Sequence, residues 1–335
     1  MTVYHLVDDA SFGGVNRMLD HLTRMAGQNA AGHQIVRIKR GQLSPPRLAG
    51  VSHVVSHLSI CWKNMPLITA LRARYAGVPL IHVEHSYSER FVTARVENRD
   101  RFETLLSAAY ALFDKVVAVS WQQGQWLARK FVSEDRLEVI EPCVALDAFF
   151  ALPDRLPAGK TVIGAIGRFD MQKGFDILIE GLRKSDRQDI ELHLFGCGEQ
   201  EKQLRKLAGQ DPRIVFCGYA ESPAAAMSTC DVIAMPSRFE PYGLVALEAM
   251  AAGRPVIASD ADGLAGHIEN GAINVGDNTP DGWRHFLDGL EFRTIRPGEA
   301  SRRKQARDAE QRFAKRWLHL LDVLAEDTQQ FQAAA

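Results

Sequence analysis

Short runs of apolar, β-branched residues alternate with longer amphipathic stretches through the second half of this 335-residue chain, and that alternation limits the fold more than any other feature. Residues 161–166, 190–195, 214–217, 231–235 and 255–259 read as buried strands. Between them, 174–184, 199–208, 223–228 and the residues after Tyr242 carry helical spacing. Strand and helix in strict alternation make a parallel sheet with crossover helices on its faces. The first half repeats the rhythm less cleanly, with strands at 3–7, 34–38, 53–57, 80–84, 115–119 and 137–140. Helices at 15–26, 66–75 and 102–112 fit between them. The expected fold is α/β, with two doubly wound, Rossmann-like domains facing each other across a cleft.

Length supports two domains, because a single core stops growing below this size. Two prolines and a glycine, Pro153, Pro157 and Gly159, interrupt any regular pattern in 149–159, which divides the chain into 1–150 and 151–335. Hydrophobic residues at 46% and charged residues at 24% supply two ordinary cores. A net charge of -1 gives no electrostatic case for nucleic acid. The five cysteines, Cys61, Cys143, Cys197, Cys217 and Cys230, are scattered and lack the spacing of a zinc site or redox pair, which fits a reducing compartment. The first residues show no basic leader, and no stretch approaches a membrane span, so the expected location is cytoplasmic.

The richest segment is 237–253. Pro241 and Gly243 forbid the preceding strand from continuing, so helix begins only after Tyr242, and Gly253 with Pro255 ends it. The first amides of that helix, around Gly243, Leu244 and Val245, form an anion site that glycine lets a phosphate approach. Glu240 in the loop and Glu248 on the helix cannot usefully face a phosphate. They can accept hydroxyl hydrogen bonds from a ribose or a sugar ring, so the arrangement suits a sugar nucleotide. Out of context, two acids at this spacing are far more often surface groups, and it is the surrounding loop and helix start that overturn that reading.

Other strand ends carry further candidates. Arg168 and Lys173 stand in one loop ahead of a helix and can together neutralise a diphosphate, although an isolated basic pair is more often solvated surface. Gly196 and Gly198 form a lone G-x-G turn, a weak signal. Gly13 and Gly14 follow the first strand and either admit a ligand to the backbone or make a plain tight turn. His85 ends a strand and reads as structural or as facing the ligand crevice. A metal at His82, Glu84 and His85 is rejected, because alternate strand residues point to opposite faces. No P-loop, complete G-x-G-x-x-G or H-E-x-x-H is present, which argues against a nucleotide hydrolase, a dehydrogenase and a zincin.

Together, Gly167-Arg168, Lys173-Gly174, the Gly196 turn, residues 215–218 and above all Glu240 and Glu248 resemble the retaining, nucleotide-sugar-dependent glycosyltransferases of family four, which have the GT-B fold. Gly13-Gly14, His85, Ala118-Val119-Ser120 and the linker at 139–150 are similar too. The resemblance implies a donor-binding second domain, an acceptor-binding first domain and a last helix within 302–325 crossing back toward the first. It gives Glu248 the ribose hydroxyls, Glu240 the transferred sugar, and Arg168 with Lys173 the diphosphate. Gly13 and Gly14 would touch the phosphate and sugar, His85 would reach the sugar, and Gly218 with Tyr219 would lie at the base. Retention would follow same-face attack, the leaving phosphate helping to deprotonate the acceptor. The cations and helix start can stabilise the departing diphosphate, so no metal cofactor is expected.

Two departures stand out. Pro142-Cys143 replaces the usual Asn-Gly after the linker strand, and Gly263-Leu264-Ala265-Gly266-His267 replaces paired glycines followed by a glutamate, which bears on which sugar is used. Rival readings are a sugar-nucleotide epimerase of the same fold, a catalytically silent sugar-nucleotide binder and, most weakly, a dinucleotide oxidoreductase. The expected acceptor is a membrane lipid or lipid-linked or surface glycan, with a soluble small molecule as the alternative. Lys and Arg against Asp and Glu give 17 minus 14, or +3, for residues 1–150, and 23 minus 27, or -4, for the rest. The helix near Trp62 and the cluster Arg90, Arg95, Arg99 and Arg101 would rest peripherally on anionic lipid, although Glu89, Glu97, Asp100 and Glu103 interleave with them.

Overall fold

Strands with no polar alternation have to be covered on both faces, and that is how the chain folds. The computed structural model describes residues 1–8, 13–25, 32–39, 41–155, 159–295 and 298–334. Two units form, one of Met1–Ala145 with Ala309–Ala335, the other of Leu146–Asp308. The last helix, Glu299–Ala334, begins in the second and continues in the first.

In the first unit β1 (Thr2–Val7), β2 (Gly32–Arg37), β3 (His53–Ser56), β4 (Leu80–Glu84), β5 (Lys115–Ala118) and β6 (Leu137–Val139) form one parallel sheet in the order β2-β1-β3-β4-β5-β6. Every residue of β3 and β4 is buried. Leu67, Ile68 and Leu71 of the helix Met65–Arg74 and Leu105 and Leu106 of Arg99–Tyr110 join Val54, Leu80 and Val116 in the core. Each such side chain contributes about 1.5–3 kcal/mol by leaving water.

The second unit repeats the plan with β7 (Thr161–Ile166), β8 (Ile190–Phe195), β9 (Ile214–Gly218), β10 (Val232–Met235), β11 (Val256–Ala258) and β12 (Ile273–Asn274), in the order β12-β11-β10-β7-β8-β9. Helix Phe175–Lys184 buries Phe175, Leu178, Ile179 and Leu182 with Ile163, Leu192 and Trp283 in this core.

Both sheets are doubly wound. Chain order reverses between β1 and β3 in one and between β7 and β10 in the other, and the loops following those strands flank a crevice where ligands bind in open α/β sheets. The structure departs from the sequence expectation at some edges. The helix expected from 199 starts at Glu201, because Gly198 and Gln200 instead turn back against Phe169, whose carbonyl accepts from Gln200 N at 3.0 Å. Helices Glu89–Arg95, Trp121–Lys130 and Pro280–Asp288 and the two-residue β12 were not expected. Residues Leu156, Pro157 and Ala158 of the expected linker and Ala26 of the first expected helix lie outside the described residues.

Candidate functional site

Loops at the switch point of the second sheet are pinned to one another by backbone geometry first. After β7, Asp170 caps a short 3-10 turn, Met171–Lys173, its carboxylate accepting from Lys173 N at 3.3 Å. Gly174 follows at φ 66, and a Cβ there would lie 2.0 Å from the Pro236 carbonyl oxygen. Only glycine lets the loops after β7 and β10 approach so closely. Arg238 ties the same two loops. Its amide donates to Gln172 O at 2.8 Å, its guanidinium to Met171 O at 3.0 Å, and it forks onto Asp176 at 2.8 and 2.6 Å. Asp176 holds the guanidinium above its ordinary pKa.

These ties deliver Lys173 to Glu240. Lys173 Nζ donates to Glu240 Oε2 at 2.5 Å, and Ser237 Oγ donates to the same oxygen at 3.3 Å. The pair is largely buried, so its charges interact more strongly than a surface pair would. Glu240 is itself held by its backbone. Its amide donates to Asp262 Oδ2 at 3.2 Å and its carbonyl accepts from Gly263 N at 2.9 Å. Asp262, at φ 44, is the one non-glycine residue with positive φ among the described residues, a strain of the kind that collects at functional sites.

Gly243 sits at φ 97 before the helix Leu244–Ala251, and a Cβ on it would fall 2.7 Å from Leu264 Cδ2. Leu244 and Val245 open that helix, and Glu248, one turn further, is fully buried. The segment that departs from the family pattern, 263–267, backs this loop. It starts the helix Leu264–Glu269 and packs His267 at a tilt against Tyr242 with ring centroids 4.7 Å apart. Burial lowers the His267 pKa to about 4.

Arg168 extends from the same loop with its side chain 77% exposed, 3.5 Å from Asp170. Gly218 closes β9 at φ 71, its carbonyl accepting from Gly196 N at 2.8 Å, and Tyr219 beyond it is 73% exposed. The structure therefore joins Lys173 directly to Glu240, while Arg168 projects from the Lys173 loop into solvent and Gly218 and Tyr219 stand at the end of β9.

The first unit holds its own pocket at the ends of β1, β3 and β4. It is about 60 Å³ and is lined by Asp8, Val15, His57, Leu58, His85 and Ser86 among others. His85 lies just beyond β4, and its Nε2 meets His57 Nδ1 at 2.8 Å. As strand alternation requires, His82 and Glu84 bond to each other on the other side, at 3.4 Å, with Tyr110 Oη donating to Glu84 at 2.8 Å. Burial pushes the Glu84 carboxyl up, but hydrogen bonds from His82, Ser86 and Tyr87 outweigh it and hold the group below its usual range. Glu84 thereby fixes the 85–87 turn. Gln123 fixes it too, donating to Glu84 O at 3.1 Å and Tyr87 O at 2.7 Å. Gly13 caps the helix Gly14–Met25, its carbonyl accepting from Arg17 N, whereas Phe12 before it lies outside the described residues.

Sequence reasoning missed Arg238, Asp262, Asp176, Asp8 and Gln123. Arg238 was legible in principle, since it stands two residues before Glu240. The others act through contacts distant in sequence.

Two doubly wound parallel sheets of six strands make the GT-B fold. HepE from Anabaena, solved with UDP and glucose, superposes with a TM-score of 0.69 over 99% of both chains at 17% identity. Residues 160–287 match the family described as glycosyl transferases group 1, and residues 53–148 match glycosyltransferase family 4. The chain belongs to the family-four type of glycosyltransferases. Phosphatidyl-myo-inositol mannosyltransferase of Mycobacterium leprae is 30% identical over 221 residues, which is 63% of this chain and 56% of that protein. The lipopolysaccharide core biosynthesis glycosyltransferase LpsE of Rhizobium meliloti is 34% identical over 128 residues, 36% of this chain and 37% of that one. The chain thus spans well under two thirds of the length of the curated relatives it matches.

Proposed function

We propose that the protein transfers a sugar, with retention, from a nucleoside-diphosphate sugar to an acceptor hydroxyl. The observation that carries this is the Lys173–Glu240 pair at the β7/β10 switch point, beside a glycine-started helix that buries Glu248. A paired cation and carboxylate can divide their tasks on a sugar nucleotide. Lys173 turns to the diphosphate, joined by the exposed Arg168, and Glu240 is freed for a sugar hydroxyl. The amides of Leu244 and Val245 add a positive helix end for the leaving phosphates. Glu248 takes the ribose, Gly218 and Tyr219 the base, and Gly13 and Gly14 a close backbone approach. The HepE structures, which contain UDP or UDP-glucose, support this class of donor.

The acceptor is assigned to the first unit, whose pocket presents His85 and Asp8. Relatives named for phosphatidylinositol and lipopolysaccharide substrates favour a lipid or lipid-linked glycan. Cations and amides supply the charge stabilisation, so the reaction needs no metal. Incubating the protein with a panel of nucleotide sugars and candidate acceptors, with and without chelator, tests the reading. Acceptor-dependent nucleoside diphosphate release that survives chelation supports it. Epimerised nucleotide sugar without transfer overturns it in favour of an epimerase, and loss of activity on chelation removes the metal-free mechanism.

A further inference from the structure

Four histidines of the first unit are joined ring to ring. His33 Nδ1 meets His5 Nε2 at 2.8 Å, His5 Nδ1 meets His57 Nε2 at 2.9 Å, and His57 Nδ1 meets His85 Nε2 at 2.8 Å. Neighbouring rings are stacked, with centroids 5.1 to 5.2 Å apart. The sheet register makes the chain. His33 pairs with Val3, two residues before His5. His57 follows Ser56, which pairs with Leu6, so it lies two residues beyond His5. His82 pairs with Ser56, so Val83 is level with His57 and His85 is two residues further on. Each step across β2, β1, β3 and β4 climbs two residues, which keeps every ring on one face at diagonal-neighbour spacing. Trp317 of the last helix packs edge-on against His5, with centroids 5.9 Å apart.

We propose that these four rings are a proton relay linking the His85 pocket to His33, and that it sets which nitrogen of His85 carries hydrogen. The chemistry follows from counting. A neutral imidazole has one N–H, and each of the three contacts needs one donor and one acceptor. If His5 donates from Nε2 to His33, its Nδ1 must accept from His57 Nε2, and His57 Nδ1 from His85 Nε2. All four rings are then Nε2–H, and His85 offers a bare Nδ1. The only other complete pattern has all four as Nδ1–H. No mixed pattern satisfies the three contacts with neutral rings.

One pattern converts to the other by moving protons along the line. A proton arriving at His85 Nδ1 is matched by transfer of its Nε2 proton to His57 Nδ1. His57 Nε2 passes its proton to His5 Nδ1, His5 Nε2 passes its own to His33 Nδ1, and the half-buried His33 releases its Nε2 proton to solvent water. No bond other than N–H changes, and no charge stays behind. Among the described residues neither end nitrogen has a hydrogen-bond partner, and neither belongs to the sealed, unpartnered atoms. Neutral rings are what burial favours. His5 and His57 are held well below the ordinary histidine pKa, and His33 and His85 are lowered to about 4, in each case first by burial. His53 and His82 add to the lowering, and Glu84 opposes it at His85. For transfer to a hydroxyl, the relay, in place of the leaving phosphate that the family resemblance implies, takes the acceptor O–H proton as oxygen bonds to the anomeric carbon. That last statement rests on the proposed function; the relay does not.

Ring-nitrogen 15N NMR of the unliganded protein tests the relay without any activity. The expected result is one shared tautomer at His5, His33, His57 and His85. Mixed tautomers among the four overturn it. A second measurement uses His33→Gln, a half-buried end position. With folding verified by thermal melting, kcat is expected to fall about 100-fold, the lower end of the range of acid–base assistance. Donor KM should stay within about twofold, and a curved solvent-isotope proton inventory should become linear. Unchanged kcat and an unchanged inventory contradict a relay. If no donor is turned over at all, the transfer reading fails while the tautomer result still decides the relay.

Discussion

At the scale of single residues, the candidate donor site divides into groups that meet the ligand and groups that aim them. Glu248 is fully buried beside the helix start, where a carboxylate finds little water to compete with a ribose hydroxyl. Glu248→Gln keeps the shape but replaces a charged acceptor with a neutral amide. It should weaken donor binding by about 1.5–3 kcal/mol, the range for hydrogen bonds to charged groups. Calorimetric titration with the nucleotide sugar and with the free nucleotide checks this, and equal loss for both places the residue on the nucleotide. Glu240→Gln should behave differently. Its carboxylate is paired with Lys173 and is assigned to the reacting sugar, so the variant should lower kcat more than it raises donor KM. A change confined to KM contradicts the assignment to the reacting sugar.

At the scale of elements, the loops after β7 and β10 behave as one piece because Gly174 permits their approach and Arg238 laces them. Arg238→Ala removes the fork on Asp176 and the bond to the Met171 carbonyl without touching the proposed ligand. The expected outcome is a thermal melting point lowered by several degrees, roughly 1–3 kcal/mol, with donor KM raised and ordinary helical content by circular dichroism. Unchanged donor KM would show that Lys173 needs no such support.

The same scale shows what the sequence discloses. β4, β7 and β8 have the bounds expected for them, since each is rich in buried apolar residues and is followed at once by a histidine or a glycine. Glu240 and Glu248 were legible because Pro241 and Gly243 leave only one place for the helix to begin. Asp262 was not, since nothing local signals that an aspartate 22 residues away will adopt φ 44 to receive the Glu240 amide. Nor were the histidine contacts, whose partners are brought together only by strand order and register. Helix Glu89–Arg95 escaped notice because it buries Val92 alone and has no apolar stripe to read.

At the scale of the molecule, two bulk properties follow from buried histidine and from surface charge. Histidines 5, 33, 53, 57, 85 and 267 all have folded pKa values below the ordinary 6.5, with burial the leading cause. The unfolded chain therefore binds more protons between about pH 6.5 and 4, and stability rises with pH there. Their contribution is complete above about pH 6.5 and is lost as pH falls toward and through 4. For one ring lowered from 6.5 to about 4, the difference is roughly 3 kcal/mol. Thermal melting should be flat from pH 7 to 8 and drop steeply from 6.5 to 4.5. A flat profile through pH 5 would mean that these rings are not held neutral.

Among the described residues no helix is long and apolar enough to cross a membrane. Trp62 and Trp121 are 49% and 59% exposed on the first unit, and Arg101 lies over the Trp62 ring at 5.7 Å. Pairing of Arg129 with Glu89 and Lys130 with Glu103 spends part of the nearby positive charge. Sedimentation with anionic liposomes should therefore show binding that is weak and lost at moderate salt. Absence of binding at low salt points to a soluble acceptor.

The most direct test of the central claim, that the β7 and β10 loops of the second unit hold an activated sugar donor through Lys173 and Glu240, is a paired measurement on Lys173→Ala. Nucleoside diphosphate release is followed for wild type and variant with the preferred nucleotide sugar and acceptor, while donor affinity is titrated on the same samples. Wild type should show acceptor-dependent release and the variant a loss of about 100-fold or more in kcat/KM, because the variant lacks the buried cation assigned to the leaving diphosphate. A folded variant with wild-type kcat/KM and wild-type donor affinity would contradict the claim.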